Sequence, residues 1–433
     1  RARAEPKCRE AHGSIVRTGF ASHAIVCTNL IRCYAGNGSV EDARKMFAEM
    51  PVKDLVSWNS MISCYHKMGL HEEALKMYEE MRVLNVGLDE FTVVGLLSSC
   101  AHVGALGFGQ WVHQFAEENG FLERNVFVGN ALIDMYAKCG SLDGARLVFD
   151  KMWKRDTFTW NSMIIGLGIH GRGEEASLFF QRMLIAGVRP NSITFLGLLM
   201  GCNHQGLVDQ GLKYFQLMSS EFGLKPDFKH YGCVVDLFGR ANKIDKALDI
   251  IRNSNCGDDP VLWRTLLNAC RICKNVKMGE VAMRNLVQLS AYSAGDCALL
   301  AEIYAYNGDS KSYASMRKMV KKQGIKSRPG WSWIEVKGNI NKFVVGDISH
   351  PDTKEIHKKL KEIISMAVLK GHAHEKSVLL ANEDFNGKMS GERMEKRGGY
   401  HSEMLAIAYG IMRSPEGMAL RIVKNLRVCE DCH

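Results

Sequence analysis

A stack of helix-turn-helix units followed by a smaller α/β domain, an α-solenoid with an appended module, is the fold class this sequence predicts. Three observations carry that expectation. Segments of the 433-residue chain recur at a fixed offset of 102 residues. Within each segment apolar residues follow helical spacing on either side of a glycine, and with only 8 prolines in the chain helices can run over most of it. After residue 330 the pattern switches to strand-like alternation, and the final stretch carries His and Cys at metal-ligand spacing.

The repeat comes first. VSWNSMISCYHKMGLHEEALKMYEEM (56–81) matches FTWNSMIIGLGIHGRGEEASLFFQRM (158–183), NLIRCYAGNGSVEDARKMFAEM (29–50) matches ALIDMYAKCGSLDGARLVFDKM (131–152), and VGLLSSCAHVGAL (94–106) matches LGLLMGCNHQGLV (196–208). Three segment types of about 31, 35 and 36 residues therefore alternate in fixed order. In the second type Trp58, Met61, Ile62 and Tyr65 make an apolar stripe, with Asn59, Ser63 and His66 beside it. Gly69 interrupts the pattern, and Ala74, Met77, Tyr78 and Met81 resume it with Glu72, Glu73, Lys76, Glu79 and Glu80 facing outward. One such helix pair cannot bury its own apolar face, whereas stacked pairs can.

Composition sets bounds on the rest. A 433-residue chain is too long for one compact core. The hydrophobic fraction of 46% and charged fraction of 24% are ordinary for folded soluble protein. No apolar run approaches the ~18 residues that would cross a bilayer, so no membrane partner is expected. Fourteen cysteines, many within helical patterns, read as free buried thiols in a reducing compartment. Of the net charge of +9, all is accounted for by residues 311–370, where 14 Lys and Arg face 5 Asp and Glu. That zone is either a holding surface for an anionic partner or a solvated helix face.

The alternating lengths and phrases such as NALIDMYAKCGSLDGARLVF resemble pentatricopeptide repeats, specifically the mixed-length arrays of plant organelle RNA-editing factors. Tetratricopeptide repeats share the helix pair but keep one 34-residue period. The resemblance implies recognition of single-stranded organellar RNA, one nucleotide per repeat, by a residue near the start of the first helix and the last residue of the repeat. Carried over, the pairs are Thr28 with Asp54, Asn59 with Asp89, Val94 with Asn125, Asn130 with Asp156, and Asn161 with Asn191. A carboxylate such as Asp89 accepts from the ring N–H of uracil or guanine, and an Asn both donates and accepts. In the family, Asn at the first position goes with pyrimidines and Thr with purines. The expected 5′ to 3′ preference is G, U, unread, U, C, with Val94 lacking any hydrogen-bonding group. The competing structural role for Asp and Asn before a helix is capping, which fits the last-position residues but not Asn59, Asn130 and Asn161.

The expected organisation is a partial repeat at 1–23, the mixed-length array at 24–228, a last short repeat and E-type repeats at 229–330, and a DYW deaminase-like domain at 331–433. CVVDLFGRANKIDKALDII (233–251) resembles the last short repeat, and VLWRTLLNACRICKNVKMGEVAM (261–283) and CALLAEIYAYNGDSKSYASMRKMVKKQGIKSRPG (297–330) the E-type pair. Cys270 and Cys273 lie one helical turn apart with no second pair nearby, which favours core packing over metal. Trp331, Trp333, Ile334 and Val336, then Phe343 to Val345, predict a β-hairpin turning on Gly338-Asn339, with a helix from about Asp352. GWSWIEV and SHPDTKEIH resemble the opening of the DYW domain.

In the last stretch, YHSEMLAIAYGIM (400–412) gives HxE on a helix, LRIVKNLRV (420–428) reads as a strand, and Cys429 and Cys432 open a second helix. This is the order of zinc nucleoside deaminases, with Val428 in place of the usual Pro. One neutral imidazole from His401 and two thiolates from Cys429 and Cys432 suit Zn2+, leaving the fourth tetrahedral position to water, whose pKa then falls to roughly 7. Glu403 is not a ligand and can carry the proton to the pyrimidine ring and the leaving ammonia, giving C-to-U conversion in RNA. The rival reading is a structural zinc site, which needs a fourth protein ligand. His433 is poorly placed for that role and in the DYW family helps bind a second, structural zinc with the tail.

The sequence stops at His433, short of that tail, so the second zinc is expected to be lost and the deaminase weakened or inactive as given. It begins RARAEPK, so a targeting peptide for a mitochondrion or chloroplast is expected upstream. Residues 371–400 depart from the family's glycine-tyrosine-proline box, and His372 and His374 there read as surface-loop histidines. Three function classes remain: a site-specific editing factor working with other editing-complex proteins and no stable homo-oligomer; an RNA-binding factor that recruits a deaminase in trans or protects a transcript; and a protein-binding scaffold.

Overall fold

Residues 4–20, 23–322, 330–345, 348–369, 400–415 and 417–424 are described by the structure, a computed structural model. The chain divides into two compact units, one containing residues 1–154 with 330–382 and 391–433, the other 155–329 with 383–390.

In the first unit the helices are α1 (Ala4–Arg17), α2 (Ala24–Asn37), α3 (Val40–Glu49), α4 (Leu55–Lys67), α5 (His71–Val83), α6 (Glu90–Val103), α7 (Leu106–Glu118), the short α8 (Phe121–Arg124), α9 (Val126–Lys138) and α10 (Leu142–Lys151). In the second they are α11 (Thr157–Ile169), α12 (Gly173–Ile185), α13 (Ser192–Gln205), α14 (Val208–Ser220), α15 (Phe228–Arg240), α16 (Ile244–Asn253), α17 (Pro260–Ile272), α18 (Val276–Gln288), α19 (Ala294–Tyr306) and α20 (Ser310–Lys322). The 102-residue offset holds in three dimensions: the helices starting at 24, 40, 55, 71, 90 and 106 have counterparts starting at 126, 142, 157, 173, 192 and 208. The starts at 24, 55, 90 and 126 also reproduce the unequal segment lengths, and α8 takes up residues in the longest one.

Local chemistry sets these boundaries. First helices open on acceptor side chains that cap backbone N–H groups: Asp54 on Ser57, Asp89 on Thr92, Asp156 on Thr159 and Asn191 on Thr194. Leading glycines end or join helices in the left-handed region, as Gly104 after α6 (φ 73°) and Gly206 after α13 (φ 73°). The predicted stripes are the core: Trp58, Met61 and Ile62 are buried with Phe47 and Ala74 in one cluster, and Leu262, Leu266, Ile251 and Leu286 in another. Trp58 meets Phe47 edge-on at 4.8 Å between ring centroids.

Of the twelve cysteines in the described residues, ten are free. Cys8 and Cys33 depart from the free-thiol expectation: packing of α1 on α2 brings their Cα atoms to 6.4 Å, and they are joined as a disulfide. Cys270 is fully buried, Cys273 packs against the same cluster, and burial pushes the Cys270 thiol up to about 12. The helical CxxC is thus core.

Residues 331–424 supply β1 (Trp331–Val336), β2 (Asn339–Val344), α21 (Thr353–Leu369), α22 (Ser402–Arg413) and β3 (Ile422–Lys424). The sheet is antiparallel with order β2-β1-β3. Its hairpin turns on Lys337-Gly338 rather than Gly338-Asn339, because Val336 pairs with Asn339 and both turn residues adopt positive φ (52° and 77°). That register buries Trp333, Ile334, Val336 and Phe343. Ile334, Val336, Phe343, Ile356, Leu360, Leu405, Ala406 and Ala408 form the core that seats α22 on the sheet and on α21.

Candidate nucleic-acid interface and metal centre

Each expected first-position residue is the fifth residue of a first helix: Thr28 in α2, Asn59 in α4, Val94 in α6, Asn130 in α9 and Asn161 in α11. Each last-position residue is the N-cap of the next first helix. The two sets therefore come from consecutive repeats, and where both members lie in one unit the geometry can be read directly.

Asn59 Nδ2 donates to Asp89 Oδ1 and Oδ2 at 3.0 and 3.1 Å. Thr92 closes the group: its hydroxyl donates to Asn59 Oδ1 at 2.7 Å, and its N–H to Asp89 Oδ1 at 2.8 Å. The second unit repeats the group with other atoms. Asn161 Nδ2 donates to Asn191 Oδ1 at 3.0 Å, Thr194 Oγ1 donates to Asn161 Oδ1 at 2.6 Å, and Thr194 N–H donates to Asn191 Oδ1 at 3.1 Å. Capping and pairing are thus one device: the acceptor that starts one helix also fixes the amide of the preceding repeat. The threonine was missed from sequence, although D-E-F-T and N-S-I-T show the capping-box spacing.

Two other pairs, Thr28 with Asp54 and Val94 with Asn125, show no such group among the described residues. Asp54 caps α4 through Ser57 N–H at 2.8 Å, and Thr28 is buried with Oγ1 lacking a hydrogen-bond partner among the described residues. Val94 is half-buried, and Asn125 caps α9 through Phe127 N–H at 2.9 Å. Asn130 lies in α9 of the first unit, and Asp156 caps α11 of the second.

In the appended module His401 is the N-cap of α22, and its side chain makes no capping bond to the helix. Its Nδ1 lies 4.0 Å from Glu403 Oε1. Glu403 is buried on the first turn, where the helix dipole favours an anion. Lys424 Nζ, from β3, donates to Glu403 Oε1 at 2.6 Å, and Ser402 Oγ donates to Oε2 at 3.2 Å. Ser402 in turn meets Ser332 of β1 at 2.9 Å, and Ser332 pairs with Lys424 in the sheet register. Lys424 was not foreseen; a lone Lys in the apolar strand RIVK was the available signal.

Cys429, Cys432 and His433 lie outside the described residues, as do the rest of the 420–428 strand expectation, the second helix, and residues 371–399 with His372 and His374. The donor set of one imidazole and two thiolates fits zinc. Glu403 is engaged by the Lys424 ammonium, and its carboxylate stands beside the His401 imidazole.

The repeated helix pairs and the appended sheet-and-helix module define a helical repeat protein of the α-solenoid class. Residues 25–55 and 130–157 match the PPR repeat, 53–102 and 155–204 the PPR repeat family, 273–335 the E motif, and 381–433 the DYW family of nucleic acid deaminases. A pentatricopeptide repeat-containing protein of Arabidopsis thaliana is 53% identical over 99% of this chain and 73% of its own length. A putative mitochondrial one is 40% identical over 98% of this chain and 66% of its own length, and one named chloroplastic/mitochondrial is 40% identical over 98% and 68%. The crystal structure of the pentatricopeptide repeat protein PPR10 in complex with an 18-nt psaJ RNA element has the same fold, with a TM-score of 0.59 at 18% identity over 74% of this chain and 48% of that one. The chain belongs to the pentatricopeptide repeat family, and carries regions matching the E motif and the DYW family of nucleic acid deaminases. No described helix is long and apolar enough to cross a membrane.

Proposed function

We propose that this protein binds single-stranded organellar RNA by sequence and converts a cytidine 3′ of the read stretch to uridine. The observation that supports it most is the recurring amide–acceptor–threonine group at Asn59/Asp89/Thr92 and Asn161/Asn191/Thr194. Each group fixes polar edges at a constant place in the repeat: Asp89 Oδ2 keeps a lone pair beyond the bond from Asn59 Nδ2, whereas Asn191 Oδ1 is already used by Asn161 Nδ2 and the Thr194 N–H, so that residue would meet a base through its Nδ2 donor. Reading proceeds through Thr28/Asp54, Asn59/Asp89, Asn130/Asp156 and Asn161/Asn191, with Val94/Asn125 indifferent.

For the chemistry, His401, Cys429 and Cys432 would hold Zn2+, which when bound supplies a hydroxide nucleophile at neutral pH. Glu403 accepts the proton released in forming that nucleophile and passes it to N3 of the cytosine, then takes a second proton from the hydroxyl added at C4 and delivers it to the amino group as the C4–N bond breaks and ammonia leaves. Lys424 neutralises the buried carboxylate and, with Ser402, fixes its direction. Single-stranded substrate avoids the cost of unpairing the base. The mitochondrial and chloroplastic names of relatives support a mitochondrial or chloroplast location.

The test is to incubate the chain with an oligonucleotide carrying the G, U, any, U, C register and a downstream cytidine, then sequence the product. Uridine with the parent and none with Glu403→Gln, at equal RNA binding and zinc content, is the expected result. Binding without uridine in either protein would leave an RNA-binding factor that relies on a deaminase in trans.

A further inference from the structure

Three histidines from two consecutive repeats converge away from the groups above. His66 lies in the last turn of α4, His71 opens α5, and His102 lies in the last turn of α6. One ring nitrogen from each lies within 4.8 Å of the other two. Ring centroids are 4.2 Å apart for His71 and His102, 5.0 Å for His66 and His71, and 5.2 Å for His66 and His102.

The protons are arranged for ligation. His102 Nδ1 is 2.7 Å from the Ser98 carbonyl oxygen. A carbonyl only accepts, so Nδ1 carries the proton and Nε2 presents its lone pair, the usual outer support of a metal-bound imidazole. His66 Nδ1 and His71 Nδ1 are buried without a hydrogen-bond partner among the described residues. Such a group costs about 1–3 kcal/mol if nothing satisfies it. Of the lysines that bear on the cluster, Lys67 and Lys138, the second is already paired with Asp134 at 2.8 Å.

Packing alone does not require these rings. At the same three positions 102 residues later stand Gly168, Gly173 and His204. There the backbones close directly: a Cβ on Gly168 would meet the Gly197 carbonyl oxygen at 2.6 Å, and one on Gly173 the Gly201 carbonyl carbon at 2.8 Å. The same junction therefore exists without imidazoles, and in the first unit it is opened and lined with three of them.

We propose that His66, His71 and His102 bind one Zn2+ through three imidazole nitrogens, with solvent in the fourth position, clamping two consecutive repeats. Zn–N bonds of about 2.0–2.1 Å place tetrahedral ligand nitrogens about 3.4 Å apart, a closure that side-chain rotation supplies. The exposed ring of His102 provides the entry path. This site is independent of the terminal His401/Cys429/Cys432 set.

The experiment uses the full chain carrying Cys429→Ser and Cys432→Ser, so that the terminal motif contributes no metal. Equilibrium dialysis against ZnCl2 with metal analysis, and Co2+ absorption as a second readout, are compared with the same chain bearing His71→Gly or His102→Gln. The glycine variant copies a residue that the repeat already accommodates at 173, and far-UV circular dichroism verifies folding of both. The expected result is one equivalent of Zn2+ and tetrahedral Co2+ bands, both lost in each histidine variant and retained in His204→Ala. Equal metal in the parent and the folded histidine variants, or no Zn2+ uptake by the parent, would overturn the site.

Discussion

Two junctions in the second unit occupy the same place in the repeat and solve it with opposite chemistry. At the first, Asn161 of α11 meets Asn191 and Thr194 at the start of α13 through neutral hydrogen bonds. At the second, the fifth residue of α17 is Arg264, and its guanidinium meets Asp296 at the start of α19. Nε donates to Oδ1 and Oδ2 at 2.9 and 3.1 Å, and Nη2 to the Ala291 carbonyl at 2.5 Å. Ser293 donates its N–H and hydroxyl to Asp296 Oδ2 at 2.8 and 2.9 Å, saturating the carboxylate. A neutral amide group keeps exchangeable edges, whereas the Arg264–Asp296 pair saturates a buried carboxylate beneath a part-exposed guanidinium and keeps none. The helix pair is thus a common frame, and on the proposed reading one position sets whether a repeat is left open to a base or locked for stability.

That contrast yields graded expectations. Arg264→Ala strands the buried Asp296 carboxylate and should destabilise the second unit by about 3 kcal/mol, against about 1 kcal/mol for Asn161→Ala, measured from urea midpoints. RNA binding should invert the order: Asn161→Ala weakens binding to the matched oligonucleotide about tenfold, roughly 1.4 kcal/mol, while Arg264→Ala leaves it unchanged in the folded protein. A smaller effect is expected in the basic 311–370 zone, where the exposed Lys354 and Lys358 lie. Substitution of either by Ala should lower affinity uniformly across sequences and reduce the salt slope by about one unit for each phosphate no longer neutralised, whereas an unchanged slope would mark the zone as a solvated helix face. The smallest concerns the helical CxxC: Cys270, pushed up to about 12 by burial, should stay unlabelled by iodoacetamide at pH 8 while the protein is folded.

The helix pairs were legible because periodicity, capping residue and glycine agree at each boundary, as the recurrence of α4 to α7 in α11 to α14 illustrates. Asn59 and Asn161 could be picked out because they are polar at a fixed phase inside first helices. Their threonine partners were visible only as capping boxes, since a cap does not announce that it also reaches the preceding repeat. The hairpin turn was misplaced by one residue because Lys337, with positive φ, carries no sequence sign of that conformation. Lys424 on Glu403 and the His66/His71/His102 group depend on chain crossings that no local spacing encodes.

The most direct measurement exchanges a single reading residue. Asn59→Thr keeps the capped acceptor Asp89 and, by the family pattern of Asn with pyrimidine and Thr with purine, should switch the preferred second nucleotide from U to G with the other positions unchanged. Binding of the variant to four oligonucleotides differing only there would show G about tenfold above U. An unchanged preference for U, or equal affinity for all four in both proteins, would contradict base reading by these groups.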